Sequence, residues 1–184
     1  MAAPPRRWAA ELVHHWFHHL TPQQRFAVDP QIDAELRRRF GADLAALGSR
    51  PAHEFLDGPH GALAAVILFD QVPRNIHRGT AQAFAYDPLS RQIARRALAM
   101  GWDACLTPGQ RQFLAMPLMH SEQIADQMQA LRYYTALGPR YGGPFARSHH
   151  RMIARFGRFP HRNAVLGRHS SAAELRAVQQ GFAW

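Results

Sequence analysis

Apolar positions along the chain recur at helical spacing and almost nowhere alternate. Trp8, Leu12, Val13, Trp16, Phe17 and Leu20 mark one face of a first amphipathic helix, with His14, His15, His18 and His19 between them on a polar face. Thr21-Pro22-Gln23-Gln24 has the makings of a helix start: an N-cap, a proline at the first helical position and a glutamine that completes a capping box. Asp29-Pro30 restarts the chain in the same way, and Ile32, Leu36 and Phe40 form a stripe that Gly41 is expected to end. Short helical pieces are predicted over 43–47 and 51–56, around Gly48. Residues 61–71 form the most hydrophobic helix candidate, which Pro73 should stop.

The second half follows the same grammar. Thr80 is placed to cap a segment carrying Phe84 and Tyr86. Asp87-Pro88 begins a helix with Leu89, Ile93, Ala97 and Met100 on one face, and Gly101 terminates it. Thr107-Pro108-Gly109-Gln110 repeats the earlier capping arrangement, and Pro117 is expected to break the helix that follows. His120 or Ser121 then starts a helix whose apolar stripe is Ile124, Met128 and Leu131, with His120 on that stripe and Glu122 and Asp126 on its flank. Gly138-Pro139 and Gly142-Gly143-Pro144 are breakers. Phe145, His149, Met152, Ile153 and Phe156 line the next helix, so His149 occupies an apolar face, and Gly157 ends it. Ser171-Ala172-Ala173-Glu174 reads as a capping box for a last short helix, with Phe182 and Trp184 as an apolar tail that should dock. The fold class is therefore all-α: one domain over 1–184, about eight or nine antiparallel helices joined by short turns, with 1–7 as a flexible start. No 34-residue repeat signature is apparent.

Composition sharpens this in two places. The chain has 184 residues, is 47% hydrophobic and has one cysteine, Cys105, so its core needs no disulfide and a reducing, cytoplasmic setting is expected. No apolar signal region follows the Ala/Pro/Arg opening, and the longest apolar run, 62–69, is too short to span a bilayer. The formal charge of +9 comes entirely from arginine, since there is no lysine. Arginine-rich coding explains this without a function; binding of phosphate, carboxylate or nucleic acid is the alternative. Nucleic acid is disfavoured because the aromatics sit on apolar stripes rather than on a continuous basic surface. The histidine pairs His14/His18 and His15/His19 have i,i+4 chelating spacing but read as a solvated helix face.

Polar chemistry is concentrated in three segments that border apolar helices. They are 70–80, 120–127, and His149 with 155–163. The last holds Arg155-Phe156-Gly157-Arg158-Phe159-Pro160-His161-Arg162-Asn163, a mixture suited to a turn anchored by two phenylalanines. Buried polar groups of this kind must pair or lose a few kcal/mol each. One outcome is an internal ion-pair network of Asp70, Glu122 and Asp126 with Arg74, Arg78, Arg155, Arg158 and Arg162. The other is a pocket. In it Arg74, Arg158 and Arg162 bind an anion, Asn75 and Asn163 orient it, and Asp70, Arg78, Asp126 and His149 line it. His120 with Glu122 or Asp126, and His161, would then be the acid/base groups. No metal-spacing motif is present, although His120, Glu122, His149 and His161 are the types that would hold a metal, and no cofactor is implied.

Leu68-Phe69-Asp70-Gln71-Val72-Pro73-Arg74-Asn75-Ile76-His77-Arg78-Gly79-Thr80 and its continuation to Asp87 resemble a signature of the bacterial domain-of-unknown-function family number 924. Met119-His120-Ser121-Glu122 with Ala125-Asp126-Gln127 matches a second, and 153–168 a third; Trp16-Phe17, Phe26 and Arg39-Phe40-Gly41 also fit. The chain departs at His15, where an aromatic is usual, at Arg25, where Trp is usual, and at His77, where a bulky residue is usual. The resemblance covers nearly the whole chain and implies a tetratricopeptide-like stack of antiparallel helices, with little implied about activity. Two functions remain open: a binding protein or enzyme for a small anionic molecule, and a scaffold whose arginines clamp an acidic peptide.

Overall fold

The central element is a helical run from Pro59 to Ile76 whose middle is buried on every side. In the computed structural model, which describes residues 7–181, it comprises α3 (Pro59–Val66), a wide π turn (Ile67–Gln71) and α4 (Val72–Ile76). Every residue from Ala62 to Val72 is buried. A helix apolar all round can sit only inside a shell of others. α1 (Arg7–His14), α5 (Asp87–Ala99) and α6 (Pro108–Met119) pack on α3, and α2 (Pro30–Leu47) packs on α4. α7 (Ile124–Leu137) lies on α6, α8 (Gly143–Phe156) lies on α7, and α9 (Ala172–Gln179) meets the turn at Pro160–Arg162. With 59–76 counted as one run there are eight helices and no strand among the described residues. One large core joins α1 to α8. A smaller cluster of Met152, Ile153, Phe159 and Ala177 holds the C-terminal turn.

Local start and stop chemistry sets most of the boundaries. Asp29 accepts from the Gln31 and Ile32 amides, and Thr107/Gln110 and Ser171/Glu174 form reciprocal capping boxes. Gly101 and Gly157 end their helices at φ 69°, a conformation that costs an L side chain about 1–2 kcal/mol. Thr21 and Gln24 make the expected reciprocal bonds but open only a short 3-10 turn, Gln24–Phe26. Thr80 caps nothing through its side chain, which donates to the His77 carbonyl instead.

Several expected breaks are absent. α2 runs through Gly41 to Leu47, because Leu44 continues its buried stripe. Pro73 does not stop the central run; it follows the π turn as an early residue of α4, where an amide proton is not required. Pro117 lies inside α6, which reaches Met119 because α7 holds its end. The Gln127 side-chain amide donates to the carbonyls of Met119 (2.7 Å) and Ser121 (2.6 Å), and Tyr134 Oη donates to Gln112 O (2.6 Å). His15 is buried rather than polar-facing: the helix widens into a π turn over His15–His19, which rotates it inward, where its Nδ1 meets Arg39 at 3.0 Å. Arg25 donates to the carbonyls of Trp16, Phe17 and Leu20 that this wide turn exposes. In the run Arg37-Arg38-Arg39, Arg37 donates to Ile76 O and Arg39 bonds His15 and Glu35. Cys105 is exposed. The tail residues Phe182 and Trp184 lie outside the described residues.

The largest revision concerns α7. It starts at Ile124 after an N-cap Gln123, so His120 is the C-cap of α6 and shares no stripe with Ile124. Its buried face is Asp126, Gln127, Ala130 and Tyr134, while Ile124 is 49% and Met128 39% exposed. Gln127→Leu therefore leaves buried carbonyls without a donor and should lower unfolding stability by about 1–3 kcal/mol. Met128→Ser should change it by no more than about 0.5 kcal/mol. Urea unfolding of both variants checks the assignment; the reverse ranking would contradict it.

Candidate functional site

The π turn in the central helix sets the site. An i→i+5 turn admits one extra residue, and such turns recur at functional positions. Here it carries Asp70 and Gln71 into the interior, with Asp70 fully buried. A buried carboxylate needs partners, and Asp70 has three. Gln71 Nε2 donates at 2.6 Å, Arg74 Nη1 approaches at 3.1 Å, and His120 Nδ1 donates at 2.8 and 3.0 Å to its two oxygens. Burial alone would push the Asp70 carboxyl up, but Arg74 and His120 outweigh it and hold the group below the usual range.

Arg74 joins this group to a second carboxylate. It bonds Asp87 through both terminal nitrogens, at 2.8 and 3.0 Å, and also donates to the Asp70 carbonyl at 2.7 Å. Asp87 opens α5, and its other neighbour is Arg162 Nη1 at 3.3 Å. Arg162 is buried and lies between two rings, its guanidinium carbon 4.6 Å from the centroids of both Phe84 and Phe159. Among the described residues that single long bond to Asp87 is its only side-chain hydrogen bond, and its Nε is buried with no acceptor. Burial, with repulsion from Arg74, lowers Arg162 to about 10, so it stays charged at neutral pH.

Three histidines complete the cluster. The His120 ring lies 6.1 Å from that of His149, whose ring is 5.3 Å from Phe159; His161 is 5.6 Å from Phe159. His149 Nδ1 donates to Phe145 O at 2.8 Å. Burial, reinforced by His120, lowers His149 to about 3, and burial with Arg162 lowers His161 to about 4. His120 is also lowered, by burial and by the two arginines, against the opposing pull of Asp70. All three are neutral at pH 7. Asp70 fixes the His120 tautomer: Nδ1 carries the proton, and Nε2 presents a lone pair. Nε2 makes no hydrogen bond within the described residues, and the side chain is 15% exposed. The arrangement can therefore accept a proton at Nε2 beside a guanidinium with unused donors.

Glu122 borders the cluster. It accepts from the Phe159 amide at 2.7 Å and from both terminal nitrogens of Arg168, at 2.7 and 2.9 Å. It thereby fastens the turn after α8 to the loop before α7. The family model for bacterial proteins of unknown function designated DUF924 matches residues 12–181. The chain belongs to the DUF924 family. It is also similar to the solved structure of a protein of unknown function from Agrobacterium tumefaciens, ATU0120, with 36% identity and a TM-score of 0.88. That match covers 94% of this chain and 97% of that one. No curated protein matches.

The three segments singled out in this DUF924 chain meet only in part. Asp70, Arg74, His120, Glu122, His149, His161 and Arg162 converge. Arg78 does not: it bonds Asp33 at 2.6 Å and Asn75 at 2.7 Å, and Asn75 in turn donates to the Gln71 carbonyl. Arg158 is held by Glu174 at 2.7 Å, away from the histidines. Asn163 is buried but donates to Ser170 and Glu174, and so serves the C-terminal turn. Asp126 accepts from Ser121 at 2.7 Å and Arg91 at 3.0 Å on the α5 side. The ion-pair network is thus real, but Asp70–Arg74 is the one pairing it keeps from the expected set. Asp87, Arg168 and Gln71 were missed as site residues. Asp87 has two roles, and its helix-start signature, Asp before Pro, concealed the second.

Neutral buried histidines make folding pH-dependent. The unfolded chain binds protons at about 6.5 while folded His149 and His161 do not until about 3 and 4. Stability is therefore fully present above about pH 6.5 and falls below it, by up to about 1.4 kcal/mol per pH unit for each group. His149→Asn, which can still donate to Phe145 O, should flatten that slope between pH 6.5 and 4. Urea unfolding across the range gives the slope; an unchanged value would show that His149 is not the source.

Proposed function

We propose that this chain binds a small anionic molecule at the His120–Arg162 cluster, with Arg162 holding the anion and His120 Nε2 exchanging a proton with it. The observation that carries this reading is Arg162. A buried guanidinium ordinarily saturates its donors on carboxylates. This one is positioned by two aromatic rings and keeps only one long bond to Asp87, which Arg74 already neutralises. Packing that fixes a cation while leaving donors unused is the arrangement expected of a ligand-facing group. The adjacent Asp70–His120 pair supplies a base of fixed tautomer, so the site has the parts for proton transfer to a bound anion.

A second reading has one observation in its favour. α5, α6, α7 and α8 each pack on the next in chain order, the succession of a tetratricopeptide-like stack, and such stacks present grooves to protein segments. It concerns the outer surface rather than the histidine cluster.

The anion reading is tested by thermal unfolding with inorganic phosphate, sulfate, acetate and succinate. At least one should raise the Tm of the wild type, in proportion to ln(1 + [L]/Kd), at about 10 mM. Arg162→Gln should cut the affinity for that anion at least about tenfold, equivalent to about 1.4 kcal/mol. Anion binding should also move the His120 imidazole resonances. No stabilisation by any of the four, or a response undiminished in Arg162→Gln, would overturn the reading.

A further inference from the structure

Between Asp126 and Glu174 the chain has no carboxylate side chain and eight arginines. Three of them are paired with carboxylates: Arg158 with Glu174, Arg162 with Asp87 and Arg168 with Glu122. Arg132, Arg140, Arg147, Arg151 and Arg155 have none among the described residues. The last three stand at i, i+4 and i+8 on α8, all exposed, in a row about 12 Å long.

Beside this row runs the apolar stripe of α7 that folding leaves only partly buried, Ile124, Met128 and Leu131. His150 Nε2 lies 3.2 Å from Met128 Sδ and joins the two rows. Between them is an open cleft of about 510 Å3 lined by Leu131, Arg147, His150, Arg151, Ala154 and Arg155. An amphipathic sequence pattern normally marks the face a helix buries. On α7 the buried face is instead Gln127, Ala130 and Tyr134, so the apolar stripe stays partly exposed, with His150 of α8 against Met128.

We propose that the outer face of α7 and α8 docks an acidic amphipathic helix from a protein partner. The partner's apolar residues would lie on Ile124, Met128 and Leu131, and its carboxylates on Arg147, Arg151 and Arg155. A helix matches the surface because both rows have helical pitch and lie side by side, which is the groove-binding mode of recognition. Charge complementarity selects an acidic partner, since no carboxylate among the described residues pairs with the row. A single-stranded nucleic acid fits less well because the cleft offers only the His150 ring for a base to stack on, and no Phe, Tyr or Trp. Phe145, the exposed aromatic of α8, projects roughly 200° around the helix from Arg147. The inference specifies the partner-binding reading and is independent of the anion site, because His149 faces the interior from the opposite side of α8.

The test uses a fluorescent 18-residue helical peptide with leucines along one stripe and glutamates flanking it. The comparisons are a scrambled peptide of the same composition and an 18-nucleotide single strand. Fluorescence anisotropy at about 0.15 M salt, where exposed charges are screened beyond about 8 Å, suppresses non-specific attraction. The designed peptide should bind at least about tenfold tighter than the scramble. Arg147→Ala with Arg151→Ala should weaken it about tenfold or more, Met128→Ser several-fold, and Arg78→Gln, at a distant ion pair, not at all. Circular dichroism confirms that the variants are folded. Absence of peptide binding, equal binding of the scramble, an undiminished double variant, or tighter binding of the oligonucleotide would each overturn the proposal. The phosphate response of the same double variant should match wild type, so failure of this surface and failure of the anion site are read separately.

Discussion

The burial of one carboxylate organises this molecule. Asp70, with none of its surface in water, sits in a buried stretch, 62–72, whose only other polar residue is Gln71. An isolated charge there would cost several kcal/mol, so the elements around it are arranged to answer it. Arg74 comes from the next turn of the same run, His120 from the end of α6, and Gln71 from the adjacent residue. Arg74 then requires Asp87 at the start of α5, and Asp87 brings in Arg162 from the turn after α8. A chain of charges from four elements thus begins at one residue of the central helix. Removing any one member strands its neighbour in a low-dielectric interior.

Chemistry follows from the same constraint. The wide turn that buries Asp70 also orients His120, because a carboxylate at Nδ1 leaves Nε2 as the available nitrogen. Burial among arginines keeps that imidazole and its two neighbours neutral rather than fixed as cations. Arg162 is held by Phe84 and Phe159 more than by its charge partner, which separates its placement from its neutralisation. The turn 155–163 contributes two groups to this assembly, Phe159 and Arg162, with His161 alongside. Arg158 turns outward to Glu174, and Arg155 stacks on Phe156 at 4.9 Å.

Local signals in the sequence were reliable where a boundary is decided by the residues that form it. The capping boxes at Thr107 and Ser171, the N-cap Asp29 and the glycine stops at 101 and 157 are all settled within one turn of chain. They failed where tertiary contacts override them. Gly41 and Pro117 lie in continuous helices because buried neighbours, or side chains from the next helix, replace what they lack. Pro73 is tolerated because a π turn precedes it. On α7 the apolar period pointed to Ile124, Met128 and Leu131, while the face that packs is polar in part. Gln127 is drawn inward by the carbonyls at the end of α6, which are invisible in the pattern of α7 alone.

The sequence by itself determined an all-α chain, a buried central helix over about 61–71 and the three polar segments that border the core. These follow from period, capping and apolar content, which are local properties. It also identified the family, through long motifs in those same segments. Only the tertiary structure decided which charges meet. Asp87 and Arg168 entered the site network, while Arg78, Asp126 and Arg158 left it for Asp33, Arg91 and Glu174. An ion pair depends on distances of a few ångströms between residues far apart in the chain, and residue type fixes the sign of a charge but not its neighbour.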